Sequence, residues 1–89
     1  MVKEQAQFDI GAGSGTSVVS ANSVIFDKSG SFVFAAAEDK SIQVFNLATG
    51  EKDGELKGHE DAVLDLCWDN SKDNYLISAS SDCSFKIWQ

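Results

Sequence analysis

Apolar residues run through this chain in short bursts rich in Val, Ile, Phe, Trp and Tyr, separated by polar clusters. No stretch holds a 3.6-residue apolar period over the ten or more positions a helix needs, so the pattern predicts strands. They are expected at 18–27, 32–37, 42–46, 51–57, 62–69, 75–81 and 84–89. Between them lie DKSG (27–30), EDKS (38–41), ATGE (48–51), KGHE (57–60), NSKDN (70–74) and SDCS (81–84), each a turn by its Gly, Asn, Asp or Ser content. Short strands joined by short turns make a meander of antiparallel hairpins. GAGSGTS (11–17) reads as a flexible connector, and VKEQAQFDI (2–10) alternates well enough to add one edge strand.

The chain also repeats itself. When residues 23–46 are laid on 65–89, Phe26-Asp27 falls on Trp68-Asp69 and Ser29 on Ser71. After one extra residue in the second copy, Phe32 falls on Tyr75, Asp39 on Asp82, Ser41 on Ser84, Ile42 on Phe85 and Phe45 on Trp88. The offset is 42 before that insertion and 43 after it. A period of about 40–45 residues with some four strands per unit is the mark of propeller blades. The expected fold is all-β: two four-stranded antiparallel blades of a β-propeller, an incomplete ring. The expected units are a terminal strand and linker (1–17), a first blade (18–57), and a second blade (58–89) that lacks its outer strand unless residues 2–10 supply it.

At this point the chain resembles the WD40 repeat family. Gly58-His59 opens a strand, Trp88 closes the third strand 29 residues after His59, and Gln89 stands where the family usually has aspartate. The resemblance implies a hydrogen-bonded structural tetrad of His59, Ser78, Asp82 and Trp88 that staples the second blade. Asp82 would accept from a ring nitrogen of His59, and Ser78 would bridge His59 to the indole N–H of Trp88. The first unit departs from the pattern: it keeps Asp39 but has Ala35 for the serine and Phe45 for the tryptophan, and no histidine precedes its first strand. It is expected to have no such network and to hold by apolar packing. Family partners dock on the rim where the first strand begins and the second-to-third turn emerges. By position, that rim is Ser20, Asn22 and Glu38 in the first unit and Ala62, Leu64 and Ser81 in the second. Leu64 has two readings, an exposed anchor or a buried residue sharing strand parity with Leu66 and Trp68. SIQVFN with IFDKSGS is also similar to the propeller of the autophagy sixteen-like proteins.

Charge and chemistry narrow the function. Fourteen acidic residues against seven lysines give a net charge of −7, with no arginine in 89 residues. A nucleic-acid binder needs cationic groups to displace counterions from phosphate, so nucleic acid and anionic membranes are not expected partners. The longest apolar run, Phe32 to Ala37, is far below the ~20 residues of a membrane helix. The N-terminus does not read as a secretory signal, because Lys3 and Glu4 are followed by polar residues. Cys67 and Cys83 therefore read as free thiols in a reducing, cytoplasmic setting. One histidine and two separated cysteines do not make a zinc set, and the paired carboxylates Glu60-Asp61 with Asp65 lack the cadence of a calcium loop. No metal or cofactor is expected.

Two motifs imitate catalysis. His59, Ser78 and Asp82 are the residue types of a hydrolase triad, but no nucleophile elbow surrounds Ser78 and Trp88 competes for the serine. GAGSG (11–15) has no Lys-Ser/Thr after it and opens no helix, so it is a linker rather than a phosphate loop. The expected function is a non-catalytic scaffold that presents a WD40 surface to proteins or peptides. The alternatives are a structural, terminal part of a larger WD40 protein and a docking module of an enzyme complex. Two blades alone leave apolar flanks open, which implies a homo-oligomer or the remainder of a longer propeller.

Overall fold

The computed structural model describes residues 19–69 and 75–89. Strands β1 (Ala21–Phe26), β2 (Phe32–Ala37), β3 (Ile42–Asn46) and β4 (Lys52–Leu56) form a four-stranded sheet in that order. Strands β5 (Val63–Trp68), β6 (Leu76–Ser80) and β7 (Phe85–Trp88) form a three-stranded sheet. Every neighbouring pair is antiparallel, and no helix occurs among the described residues. The period-2 reading places β2 and β3 to the residue, while the other strands are one to three residues shorter at an end. Some of the end residues still bond across the strand ends: Ser81 N–H donates to Ala62 O, and Asp27 N–H to Phe32 O. The extra strand expected at 2–10, the connector at 11–17 and the 70–74 turn lie outside the described residues.

Side-chain alternation gives each sheet two faces, and the pairing register sorts them. Opposite residues share a face, so Ser23, Ile25, Phe34, Ala36, Ile42 and Val44 lie together in the first sheet. In the second, Leu66, Trp68, Leu76, Ser78, Lys86 and Trp88 lie together. These two faces meet. Ala36, Ile42, Val63, Leu66 and Leu76 form one buried cluster, flanked by Ile25, Phe34, Leu56, Trp68 and Trp88. Phe34 and Trp68 touch edge to face, 5.4 Å apart at 87°, an arrangement the aromatic quadrupole favours.

Three hydrogen bonds cross between β1 and β5. Asn22 Nδ2 donates to Val63 O at 2.9 Å, Ser23 Oγ to Asp65 Oδ1 at 3.0 Å, and Trp68 Nε1 to Phe26 O at 2.6 Å. Their separations of 41 and 42 residues match the sequence repeat, because equivalent strands of successive units lie side by side.

Strands β1 and β5 carry an irregularity at the same repeat position, between Ala21 and Ser23 and between Val63 and Asp65. A bulge adds one residue and re-aims its side chain. Here the extra residues are Asn22 and Leu64. The parity argument that buried Leu64 with Leu66 therefore fails: Leu64 is 46% exposed and Leu66 5%.

Candidate functional site

The staple begins with a tight turn. Asp82-Cys83-Ser84 links β6 to β7 with Cys83 at φ 71°, in the left-handed region. That conformation costs a β-carbon-bearing residue about 1–2 kcal/mol, and Asp82 holds it by accepting Ser84 N–H at 2.9 Å and Ser84 Oγ–H on Oδ1. Asp82 Oδ2 then reaches across to the β4–β5 loop, accepting Glu60 N–H at 2.9 Å and lying 3.0 Å from His59 Nδ1. A carboxylate only accepts, so Nδ1 carries the proton and Nε2 is left as an acceptor. Ser78, wholly buried on β6, has its Oγ 2.7 Å from Nε2 and accepts Trp88 Nε1–H at 2.9 Å. The chain of bonds runs one way: Trp88 to Ser78 to His59, with His59 donating onward to Asp82. The structure thus brings His59, Ser78, Asp82 and Trp88 together, with every polar atom of the serine and imidazole engaged.

The Gly-His dipeptide has a local cause. A Cβ at Gly58 would meet Trp88 Cη2 at 3.3 Å, so the indole would have to give by a few tenths of an ångström. Glycine lets the backbone pass over the ring while His59 turns inward, 6% exposed.

The first sheet requires a correction. Its Asp39 was expected to stand without a network, yet Oδ1 accepts Ser41 N–H at 3.1 Å and Ser41 Oγ–H, and Oδ2 accepts Gln43 Nε2–H at 3.2 Å. Lys40 has φ 78°, so this turn repeats the Asp82 turn in conformation as well as in sequence. Gln43 is wholly buried and takes the aspartate oxygen that the imidazole takes in the second sheet. The signal that could have revealed it is the Asp-x-Ser-x-Gln spacing, whose members stand two residues apart from the turn into β3. Phe45 packs as expected, 4% exposed.

Electrostatics follows the bonds. The Ser84 hydroxyl first, then Glu60 N–H and His59, hold the Asp82 carboxyl far below its ordinary 3.8 against the opposing effect of burial. Asp27, bonded by the Ser29 hydroxyl, and Glu55, bonded by Lys52, are also lowered. A carboxyl with a depressed folded pKa stabilises the fold above its unfolded pKa, and that stabilisation disappears as pH falls toward the folded value. Melting temperature is therefore expected to fall steadily from about pH 5 downward. Asp82→Asn is expected to melt lower at neutral pH and to show a flatter acid slope. An unchanged slope in that variant would remove Asp82 from the account.

The rim residues also gather at one end of the sheets. Glu38 N–H donates to Ser20 O, Asn22 Nδ2 to Glu38 Oε2 at 2.7 Å, and Ser81 N–H to Ala62 O. Ser20, Glu38, Leu64 and Ser81 are exposed. Ala62 is not: at 5% exposure it lies under the Ser80 hydroxyl, which donates to its carbonyl at 2.8 Å, so it offers a partner no side chain. Asn22 is exposed, but its amide is engaged by Glu38 and Val63. Around these positions lie the exposed carboxylates of Glu38, Asp39, Glu60 and Asp61, with Lys40 the opposing charge on the β2–β3 turn. No cluster of three or more His, Cys, Asp or Glu able to hold a metal ion occurs among the described residues. Cys67 and Cys83 are free and exposed.

Two stacked antiparallel sheets, each with an aspartate-held turn, define a protein of the propeller-blade class. The chain belongs to the WD40 family: the WD domain, G-beta repeat profile matches residues 10–46 and 47–89. The second match takes in β4 together with β5–β7, so the family's repeat straddles the two sheets. The chain is 39% identical over 67 residues to eukaryotic translation initiation factor 3 subunit I of Caenorhabditis briggsae, covering 73% of this chain and 20% of that protein. It is 32% identical over 71 residues to THO complex subunit 3 of Arabidopsis thaliana, covering 75% and 22%. It is 36% identical over 69 residues to nuclear distribution protein nudF of Aspergillus flavus, covering 76% and 15%. Among solved structures, the computationally designed Ika4 protein superposes with a TM-score of 0.69 at 25% identity, over 99% of this chain and 48% of that one. The chain thus spans between 15% and 22% of the length of these curated relatives.

Proposed function

We propose that the chain is a non-catalytic protein-binding module whose working surface is the rim of Ser20, Glu38, Leu64 and Ser81, and that it takes a basic segment. The observation that carries this is the charge of that end: Glu38, Asp39, Glu60 and Asp61 are exposed there beside the exposed Leu64. An apolar anchor among mainly negative charge, with Lys40 the opposing one, suits a peptide with an aliphatic or aromatic side chain among lysines or arginines. The absence of arginine and the net charge of −7 argue against nucleic acid. Ser78 argues against hydrolysis, since it is 0% exposed and its hydroxyl is held between imidazole and indole, out of reach of a substrate. Two of the relatives above, THO complex subunit 3 and eukaryotic translation initiation factor 3 subunit I, are by name subunits of larger assemblies, which supports scaffolding. A cytoplasmic setting accords with two free thiols.

Selection from a random peptide library tests the reading. The wild-type chain is expected to enrich basic peptides carrying one large apolar residue, with binding that weakens as salt rises. Glu38→Lys with Glu60→Lys should abolish that enrichment while circular dichroism stays unchanged. Enrichment of neutral or acidic peptides by the wild type would overturn the proposal.

A further inference from the structure

The face of the first sheet that packs on the second has a repeat-equivalent on the second sheet, and that equivalent is bare. By the 42- and 43-residue offsets, Ser23, Ile25, Phe34, Ala36, Ile42 and Val44 correspond to Asp65, Cys67, Ile77, Ala79, Phe85 and Ile87. The pairing register puts the second set on one face, as it does the first. The first set is the seat of the buried cluster, with Ile42 at 0% exposure. In the second set Phe85 is 71% exposed and Ile87 60%, beside exposed Cys67 and Ala79. A lone exposed phenylalanine is ordinary, but a whole repeat-equivalent interface face without cover is not.

The complementary surface is present on the same chain. What packs against the first set is led by β5, through Leu66 and Trp68. Their equivalents on β1 are Val24 and Phe26, which are 54% and 60% exposed on the opposite face of the first sheet. Val24 and Phe26 cannot reach the bare face of their own chain, because the second sheet lies against the other side of β1. They can reach that of another. Of the five large apolar residues exposed among the described residues, four belong to these two faces, and the fifth, Leu64, is on the rim.

We infer that the open face of the β5–β7 sheet, centred on Phe85 and Ile87, is a docking surface for a second copy of this chain, which seats the outward Val24 and Phe26 of its β1 there. The contact repeats the β5 part of the one already built between the two sheets, since Val33 and Phe45, the equivalents of Leu76 and Trp88, are already buried on the face that carries Val24 and Phe26. Phe26 takes the place of Trp68, and Ile77 that of Phe34. It is heterologous, so each copy carries one socket and one plug and assembly proceeds head to tail. Two features make it weaker than the internal contact. Phe26 has no N–H to reproduce the Trp68 bond, and two chains of charge −7 repel. Added salt screens that repulsion and therefore strengthens this association, the opposite of its effect on basic-peptide binding at the rim. The two proposals fail independently.

Light scattering on the full 89-residue chain across a micromolar-to-millimolar range tests it. The wild type is expected to rise at least about twofold above the 9.6 kDa of one chain, more so at high salt. Phe85→Asp with Ile87→Asp removes the socket, and Val24→Asp with Phe26→Asp removes the plug. All four side chains are exposed, so both variants are expected to fold, and each alone should stay monomeric. An equimolar mixture of the two retains one intact socket and one intact plug and should stop at a dimer. On a Cys83→Ser background, Cys67 should react with a thiol reagent several-fold more slowly at high protein concentration. A wild type that stays monomeric with concentration-independent Cys67 reactivity would overturn the inference. So would a wild type that associates while the mixture does not, since that result requires a symmetric contact.

Discussion

Ser78→Ala is expected to lower the unfolding free energy by about 2–3 kcal/mol, because one hydroxyl serves two buried donors and acceptors at once. Its loss leaves Trp88 Nε1–H without an acceptor and His59 Nε2 without a donor. For a domain of this size that is a fall of roughly 10 °C or more in melting temperature. Trp88→Phe removes one of the same bonds while keeping an aromatic ring, and should cost about 1–2 kcal/mol. The double variant should lose less than the sum, since the indole bond cannot be lost twice. Additive losses would show that the serine and the indole act separately. A second comparison uses the repeat: Asp82→Ala should cost more than Asp39→Ala, although both turns have the same backbone. Asp82 bonds residues 22 and 23 positions away and docks the β4–β5 loop, whereas the bonds Asp39 makes among the described residues go to Ser41 and Gln43, within its own turn and strand. Equal losses would reduce the staple to a turn.

Ile42→Ala should cost about 2–4 kcal/mol, measured by denaturant unfolding. Its side chain is wholly buried where the two sheets meet. The control is at the equivalent position of the next repeat. Phe85→Ala, made on a side chain 71% exposed, should change stability by no more than about 0.5 kcal/mol at low protein concentration. The pair isolates burial from sequence position, because the repeat gives both residues the same place in a strand. Comparable losses at Ile42 and Phe85 would mean that the second sheet's open face is already covered in the single chain.

The strands, their turns and the staple residues were legible without coordinates because each rests on local chemistry. Alternation has a period of two, Asp-x-Ser closes a tight turn on itself, and the 42-residue repeat carries one unit's pattern onto the other. What local chemistry could not convey is where a face goes. Leu64 has the right parity to be buried with Leu66, and only a bulge, visible in the pairing of β5 with β6, turns it out to solvent. Asn22 has the right position for a partner contact, and its amide is engaged by Glu38 and Val63 because β1 and β5 lie side by side. Ala62 belongs to the rim by position and is covered by the β6 hydroxyl of Ser80. Gln43 read as one polar residue in a strand, and it entered the Asp39 turn because burial leaves its amide one carboxylate to meet. Ile42 and Phe85 make the division plain. Sequence makes them equivalents, both apolar and both inward by pattern. Tertiary structure alone buries one and exposes the other, because the area a side chain loses to water depends on which sheet lies against it, and no residue's neighbours in the chain specify that.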